Sequence, residues 1–593
     1  MNELKHMGPD VTKRYSYKEL PIGNVGIGLP PVRRKTGLWR YMRPEYEAKI
    51  PPCQDACPLG NWIQRFLQGV GQESLSEAWE SLILENPFPG VCGRVCHHPC
   101  EGVCNRKDVD EGLSVQALER NLADQFFDKP FAPPVLRDKQ DKKVAVVGAG
   151  PAGLACAYFL TLMGYPVTLF EARAELGGIP QTAIPPYRLP RDILNKEIRN
   201  ILSLGMEVKT GCRVGSDLAL DELMKTHEAV FLATGAAKEP RLNIPGEESE
   251  GLMRCMDFLT RVHQKDDISL GNRVLVIGGG NAAMDAASTA LRMGAGEVAL
   301  VCLEGRDEMP AWDYEIKDAL EEGVQIINGF GINRLLTEDN RTRGVEFKRC
   351  TAVFDDKGAF NPRYDDTALN IIEADTVILS IGRTFDSAFA VRMNLDTTKK
   401  GSIAVNPITL ETSMKGVFAG GDAADQPWTV SEAIGSAKRA AIAMDHYLRG
   451  DDLRGLAERG ALARTMRMHL GLDPVTPSDK RKIATLEDLN LSYVVQSAGQ
   501  SPIRLSPSER ITHFNEITLG MDAAVALEEA KRCLSCGVCR LCGNCYLFCP
   551  DSAVQLDPQS GRFAIDYDYC KGCGVCQNEC PCGFIIMISE SEA

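Results

Sequence analysis

Histidine is scarce in this chain, and positive charge is outnumbered. Eight histidines in 593 residues leave no dense acid–base constellation from which a proton-transfer site could be assembled. The formal net charge of −14, from 66 Lys and Arg against 80 Asp and Glu, argues against a nucleic-acid or anionic-membrane partner. No CxxCH is found, which removes covalent haem. The opening MNELKHMGPDVTKRYSYKEL has no apolar run of the kind that heads a secreted chain, so a cytoplasmic protein is expected. The uncharged stretch from Val144 to Phe170 has the length of a membrane span. Gly148, Gly150, Pro151, Gly153, Gly164 and Pro166 break it into strand, turn, helix and strand, and no membrane span is expected.

Cysteine, by contrast, is abundant and clustered. Of 22 cysteines, six fall between Cys53 and Cys104 and eleven between Cys533 and Cys582. A disulfide framework belongs to short secreted chains; clustered thiols in a long cytosolic chain point to metal. The length exceeds one hydrophobic core and predicts several domains, and 44% apolar with 25% charged residues is ordinary globular usage.

The segment VAVVGAGPAGLACAYFLTLMGYPVTLFEARAELGG reads as strand, Gly148-x-Gly150-Pro151-x-Gly153, helix, second strand and Glu171. Glycines at those positions let the chain turn tightly and approach a pyrophosphate. The following helix offers free N–H groups to the phosphates, and the acidic residue takes the ribose hydroxyls. A second copy, RVLVIGGGNAAMDAASTALRMGAGEVALVCLEG, places Gly278, Gly280, Asn281 and Ala283 after a strand and ends near Glu304. Two copies imply two dinucleotides, one held and one exchanged.

The tail contains Cys539-x2-Cys542-x2-Cys545-x3-Cys549-Pro550 and Cys570-x2-Cys573-x2-Cys576-x3-Cys580-Pro581. A two-residue spacing wraps consecutive thiolates around one cubane, and the fourth cysteine serves the other cluster. The pairing is then Cys539, Cys542, Cys545 and Cys580 on one [4Fe–4S] cluster, with Cys549, Cys570, Cys573 and Cys576 on the other. A zinc ribbon would not explain the duplicated fourth cysteine. With both clusters full, Cys533 and Cys536 are expected to be non-ligands. Near the amino terminus, Cys92, Cys96, Cys100 and Cys104 recur every four residues, but Gly93, Pro99 and Gly102 favour a ligating loop over a helical stripe.

Further motifs carry a resemblance. Gly177-Gly178 follows Glu171; FLATGA holds Thr234 and Gly235, LSIGR holds Gly382 and Arg383, and GVFAGGDAADQPWTVSEAIGSAKRAA holds Gly421 and Asp422. These resemble the two-dinucleotide-domain flavoprotein reductases, and GGIPQTAIPPYRLP with EMPA at 308–311 is similar to the glutamate synthase small-subunit family. The resemblance implies that the first glycine loop, with Glu171, Gly178, Thr234, Gly235, Gly421 and Asp422, binds FAD, and that the second, with Glu304, binds the nicotinamide dinucleotide. Family members that use NADPH carry Tyr-Arg-Arg before EMPA, where this chain has Cys302-Leu303-Glu304. A carboxylate there repels a 2′-phosphate and accepts a 2′-hydroxyl, so NADH is expected over NADPH.

The resemblance also implies an amino-terminal [4Fe–4S] cluster on Cys57, Cys96, Cys100 and Glu119. A second would use Cys53 and Cys104 with two upstream cysteines, but Glu45 and Ala48 stand there, so only one amino-terminal cluster is expected, three in all. Cys92 matches a family cysteine outside the ligand set. Cys533 and Cys536 resemble an RCLxCG lead-in to a ferredoxin domain.

The fold class expected is multidomain α/β: a helical iron–sulfur domain (1–140), a Rossmann-like FAD domain (141–244 and 376–450) with a Rossmann-like NAD domain inserted (245–375), a linker or docking segment (451–530), and an α+β bacterial-type ferredoxin domain (531–593). The expected activity is electron transfer between NAD(H) and a one-electron partner. That partner would be a larger redox enzyme such as dissimilatory sulfite reductase. The alternatives are a stand-alone NADH:ferredoxin-type oxidoreductase and the input subunit of a glutamate-synthase-like complex. A flavin disulfide reductase would need a cysteine pair by the flavin, and 179–190 has none. A homodimer is the expected assembly. No role is assigned to His97 or His98.

Overall fold

The computed structural model describes residues 35–424, 428–472 and 482–591. Asp425, Gln426 and Pro427 of the Asp422 motif, and most of the loop DPVTPSDKRK, lie outside them. At the centre are two five-stranded parallel sheets. The first orders its strands Val417–Ala419, Ala229–Leu232, Val144–Val147, Val167–Phe170 and Glu207–Lys209. Val144 and Val146 enter the core under the helices Pro151–Leu162 and Val430–Arg449, while Ala145 and Val147 enter the core on the opposite face. A strand covered on both faces must be apolar throughout, which is why it reads VAVV.

The second sheet runs Leu252–Arg254, Thr376–Leu379, Arg273–Ile277, Glu297–Cys302 and Gln325–Asn328. It repeats the division, with Val274 and Val276 on one side and Leu275 and Ile277 on the other. An antiparallel sheet of Phe330–Glu338, Arg341–Phe354 and Phe360–Glu373 lies in sequence between its strands Gln325–Asn328 and Thr376–Leu379. In sequence the whole of this unit lies between Ala229–Leu232 and Val417–Ala419, which pair directly.

The amino-terminal helices Ile63–Gly71, Leu75–Glu85 and Val115–Phe126 enclose a core completed by Met521 and by Ala526 and Ala530 of the helix Ala523–Lys531. The segment read from sequence as linker or docking element is a strap across three units. Arg510 reaches Asp318 and Glu321 on the second sheet's unit, the Ile517 amide donates to the Tyr187 carbonyl at 3.1 Å, and Glu516 takes both Arg94 and Arg120. One strand of the stretch 1–140 lies apart from its helices. Met42–Tyr46 does not join the helices but pairs antiparallel with Ile585–Ser589, so the start of the described chain completes the ferredoxin end. An otherwise open edge strand gains its ladder there. Among the described residues no helix is long and apolar enough to cross a membrane.

The helical unit is fastened to the first sheet's unit by one buried ion pair. Lys438, on the helix Val430–Arg449, donates to Glu85 Oε2 at 2.6 Å and to the Leu59 carbonyl at 2.5 Å, with both charged side chains 1% exposed. Glu85 also accepts the Met466 and Arg467 amides at 2.9 Å. Beside it, Gly435 must be glycine, since a Cβ would lie 2.1 Å from the Pro58 carbonyl oxygen. Lys438→Ala leaves a buried carboxylate without its cation and is expected to destabilise the protein by about 3–5 kcal/mol. Denaturant unfolding checks this, and a loss below about 1 kcal/mol would mean that the pair does not hold the two units.

Candidate dinucleotide cradles and cysteine clusters

The first glycine loop is built by close approach. Gly148 has φ +99°, and a Cβ on it would lie 2.3 Å from the Ala233 carbonyl oxygen; one on Gly153 would lie 1.7 Å from the Gly148 oxygen. Gly150 differs. The nearest atom to its Cβ would be Gly178 Cα at 3.8 Å, so a bare face remains at the head of the helix Pro151–Leu162. That open face beside free N–H groups suits a pyrophosphate. Glu171 grips the loop, accepting from the Ala149 and Arg173 amides at 2.7 and 2.9 Å, and the Gly177 amide bonds the Ala149 carbonyl at 2.8 Å. Thr234 and Gly235 follow Ala233 at the crossing from strand Ala229–Leu232. The Gly421 amide donates to Ser436 Oγ at 2.8 Å, and Asp422 pairs with Arg383 at 3.2 Å. Burial raises the Asp422 carboxyl while Arg383 holds it down. All of these groups sit at the carboxyl ends of parallel strands, where α/β sheets bind nucleotides.

The second loop repeats the design. A Cβ on Gly278 would lie 2.1 Å from the Ser380 carbonyl oxygen, Gly280 is open with nothing within 4 Å, and Ala283 is fully buried. Glu304 lies over the loop: a Cβ on Gly279 would meet Glu304 Oε2 at 2.8 Å and Pro310 Cδ at 3.3 Å. The EMPA segment is pinned beside it, the Ala311 amide donating to the Gly279 carbonyl at 3.1 Å and the Trp312 amide to Asn281 Oδ1 at 2.9 Å.

One junction joins the two cradles, and its acidic half was not singled out from sequence. Arg188, in the PYRLP segment, lies 2.9 Å from both Asp285 oxygens and 2.6 Å from Glu315. Tyr187 Oη donates to the Asp285 carbonyl at 3.2 Å while its ring stacks under Arg292, 3.8 Å from the centroid. Burial pushes Glu315 up to about 7 against the pull of Arg188. Asp285 and Glu315 resemble ordinary helix-surface charges in sequence; only the fold turns them toward Arg188.

Sixteen of the cysteines fall into four groups, and Cys582 lies beside Cys580 with the sulfurs 3.8 Å apart. Glu119 lies near Cys57, Cys92 and Cys96, and Cys100 lies near Cys57 and Cys96. Glu119 accepts from Asn86 Nδ2 at 2.7 Å and is raised by burial to about 8. Cys92 is buried behind it with its thiol toward Asn86 Oδ1. Cys53 and Cys104 face a different pair, Cys533 and Cys536. In the tail, Cys539, Cys542, Cys545 and Cys580 neighbour one another, as do Cys549, Cys570, Cys573 and Cys576. The two repeats match in detail: the Ala553 amide donates to Cys549 Sγ at 3.2 Å and the Phe584 amide to Cys580 Sγ at 3.4 Å, each four residues on. Such N–H···S bonds favour thiolate and tune a cluster's potential.

Among the described residues no three His, Cys, Asp or Glu are close enough to hold a single metal ion. A cubane engages each thiolate through its own iron, and sets of four thiolates, or of three with the Glu119 carboxylate, are donor sets that fit a [4Fe–4S] cluster. His97 and His98, given no role in sequence, stack on Trp312 and Tyr314 with ring centroids 4.5 and 5.5 Å apart, bringing the Cys96 loop against the EMPA side of the second cradle.

The chain matches the pyridine nucleotide-disulphide oxidoreductase family over residues 142–440, the dihydropyrimidine dehydrogenase domain II 4Fe-4S family over 46–130, and the 4Fe-4S dicluster domain over 538–584. Cys533 and Cys536 lie outside all three. It is 34% identical over 534 residues to the NADPH-Fe(3+) oxidoreductase subunit beta of Geobacter sulfurreducens, covering 85% of this chain and 77% of that one. To the NADP(+)-dependent formate dehydrogenase subunit beta of Moorella thermoacetica it is 36% identical over 516 residues, covering 82% and 70%. To the glutamate synthase [NADPH] small chain of Escherichia coli it is 31% identical over 420 residues, covering 67% and 89%. With two dinucleotide cradles between cysteine-rich ends, the chain belongs to the pyridine nucleotide-disulphide oxidoreductase family, as a glutamate synthase small-chain-like iron–sulfur flavoprotein that transfers electrons with NAD(P)H.

Proposed function

We propose that the chain exchanges electrons between NADH, in preference to NADPH, and a redox protein partner. Gly148, Gly150, Pro151, Gly153, Glu171, Gly178, Thr234, Gly235, Gly421 and Asp422 would hold FAD; Gly278, Gly280, Asn281, Ala283 and Glu304 would hold the nicotinamide dinucleotide. Cys57, Cys96, Cys100 and Glu119 would hold one [4Fe–4S] cluster, and the two four-cysteine groups of the tail one each. Bound FAD converts a two-electron hydride transfer into the single-electron transfers that iron–sulfur clusters accept.

The observation that carries the reading is the seating of the Cys57–Cys96 site on the flavin-side helix Val430–Arg449. Ser431, in its first turn, lies beside the Cys96 sulfur. Gly435, one turn on, touches the Pro58 carbonyl next to Cys57. Arg188, clasped by Asp285 and Glu315, ties the PYRLP segment to the unit of the second cradle.

Glu304 supports the NADH preference. The relatives named above carry NADP in their names, but here a carboxylate lies within reach of the glycine loop, where a 2′-phosphate would meet like charge. Initial rates with either nucleotide are expected to give a higher kcat/KM for NADH, and Glu304→Arg to shift the ratio toward NADPH by about tenfold or more, as one removed like-charge contact of about 1.4 kcal/mol would. A wild-type preference for NADPH would refute it.

The relatives named as subunits support a partner enzyme, and dissimilatory sulfite reductase is the partner inferred. Purification from native cells is expected to retain a redox enzyme with the chain; recovery of the chain alone, reducing free ferredoxin at full rate, would favour the stand-alone reading.

A further inference from the structure

We infer that Cys53, Cys104, Cys533 and Cys536 together hold a fourth [4Fe–4S] cluster, built from both ends of the chain. This rests on the flavin-to-cluster reading above and adds a site to it. Cys53 belongs to the short helix Pro52–Ala56 and Cys104 follows the helix Pro99–Gly102, and these two helices pack together. Cys533 comes two residues after the helix Ala523–Lys531, which packs on Ile63–Gly71 and Val115–Phe126. Cys53, Cys104 and Cys533 all border the same apolar core.

Polar contacts hold the fourth thiol in register. Asn105, next to Cys104, donates from Nδ2 to Cys536 Sγ at 3.5 Å and to the Ala484 carbonyl at 3.2 Å. Arg106 Nη1 donates to the Arg532 carbonyl at 3.0 Å, the Lys49 amide to the Gly537 carbonyl at 2.9 Å, and Gln68 Nε2 to the Arg540 carbonyl at 3.3 Å. Ser535 and Gly537, at φ +54° and +69°, turn the backbone on either side of Cys536. Non-glycine residues enter that region only when surroundings impose it. All four thiols are free of disulfides, and Cys533, Cys104 and Cys536 are all near neighbours of Cys53. Four converging, half-buried thiols suit an iron–sulfur core, which displaces their protons.

The replacement is visible in the chain. The two family ligand positions occupied by Glu45 and Ala48 share a two-residue spacing, and Cys533-x-x-Cys536 has the same. Here Glu45 is committed to the ladder with Ile586. The new site also has a place in the relay. Cys100 neighbours both Cys57 and Cys53, and Cys539, the first ferredoxin ligand, follows Cys536 by three residues. Each electron leaving the Cys57 site would reduce this one, which is reoxidised as it reduces the Cys539 site.

Iron and acid-labile sulfide analysis of the full chain, purified anaerobically with FAD bound, tests the assignment. Wild type is expected to hold about 16 iron atoms, four per cubane. Cys533→Ala with Cys536→Ala should hold about 12 with FAD retained, Cys104→Ala should lose the same amount, and the triple variant should lose no more. Cys92→Ala should stay at the wild-type count. If the double variant does not fold, Cys536→Ser serves: serine can ligate iron, so the count should hold while the electron paramagnetic resonance of one cluster changes. A wild type with about 12 iron atoms and bound FAD, or a double variant with wild-type iron, overturns the site and leaves the flavin-to-ferredoxin reading standing. About 16 iron atoms with no reduction of any cluster by NADH or NADPH would do the reverse.

Discussion

The buried Lys438–Glu85 pair is the constraint on which the rest of the arrangement depends. Two charges with 1% exposure are tolerated because every oxygen and proton that matters is satisfied: Lys438 by Glu85 and the Leu59 carbonyl, Glu85 by Lys438 and the Met466 and Arg467 amides. A buried pair of this kind adds little net stability compared with apolar packing, but it penalises any other docking of the same surfaces. It therefore determines where the Cys57 loop sits on the helix Val430–Arg449. The bare backbone of Gly435 then lets that loop approach to contact.

The same logic recurs at the other interfaces. Arg188 is shared between Asp285 and Glu315, Arg94 and Arg120 share Glu516, and Arg532 bridges Asp110 and Glu529. Apolar cores build each unit, and largely buried, charge-assisted hydrogen bonds align the units. Electron transfer depends steeply on the positions of the carriers, so interfaces that resist sliding suit such a protein. The strap from 482 to 531 serves this end by touching the nicotinamide unit, the flavin unit and the amino-terminal helices in turn.

Much of this was legible beforehand. The glycine spacings, with Glu171 and Glu304, placed both cradles because the close approach of strand, loop and helix tolerates no side chain at Gly148, Gly153 or Gly278. The neighbours of Cys549 and Cys580 were also readable, since the three-residue gap before each carries that thiol away from the three preceding cysteines and toward the other trio. Arg188 stood inside a recognisable segment, but its partners did not, because a carboxylate on a helix looks alike whether it meets solvent or an arginine from another unit. His97 and His98 were passed over for the same reason: ring stacking on Trp312 and Tyr314 leaves no trace in local sequence.

The sequence by itself determined the local chemistry: which loops can admit a phosphate, which cysteines are spaced for a cubane, and which strands must be buried on both faces. These are short-range properties, set by backbone geometry within a few residues. Only the tertiary structure decided what meets across distance. Met42–Tyr46 joined Ile585–Ser589, residues 482–531 became a strap, and Cys533 and Cys536 came to face Cys53 and Cys104. Those outcomes follow from packing apolar surface and pairing buried charge between units, and no spacing rule along the chain encodes them.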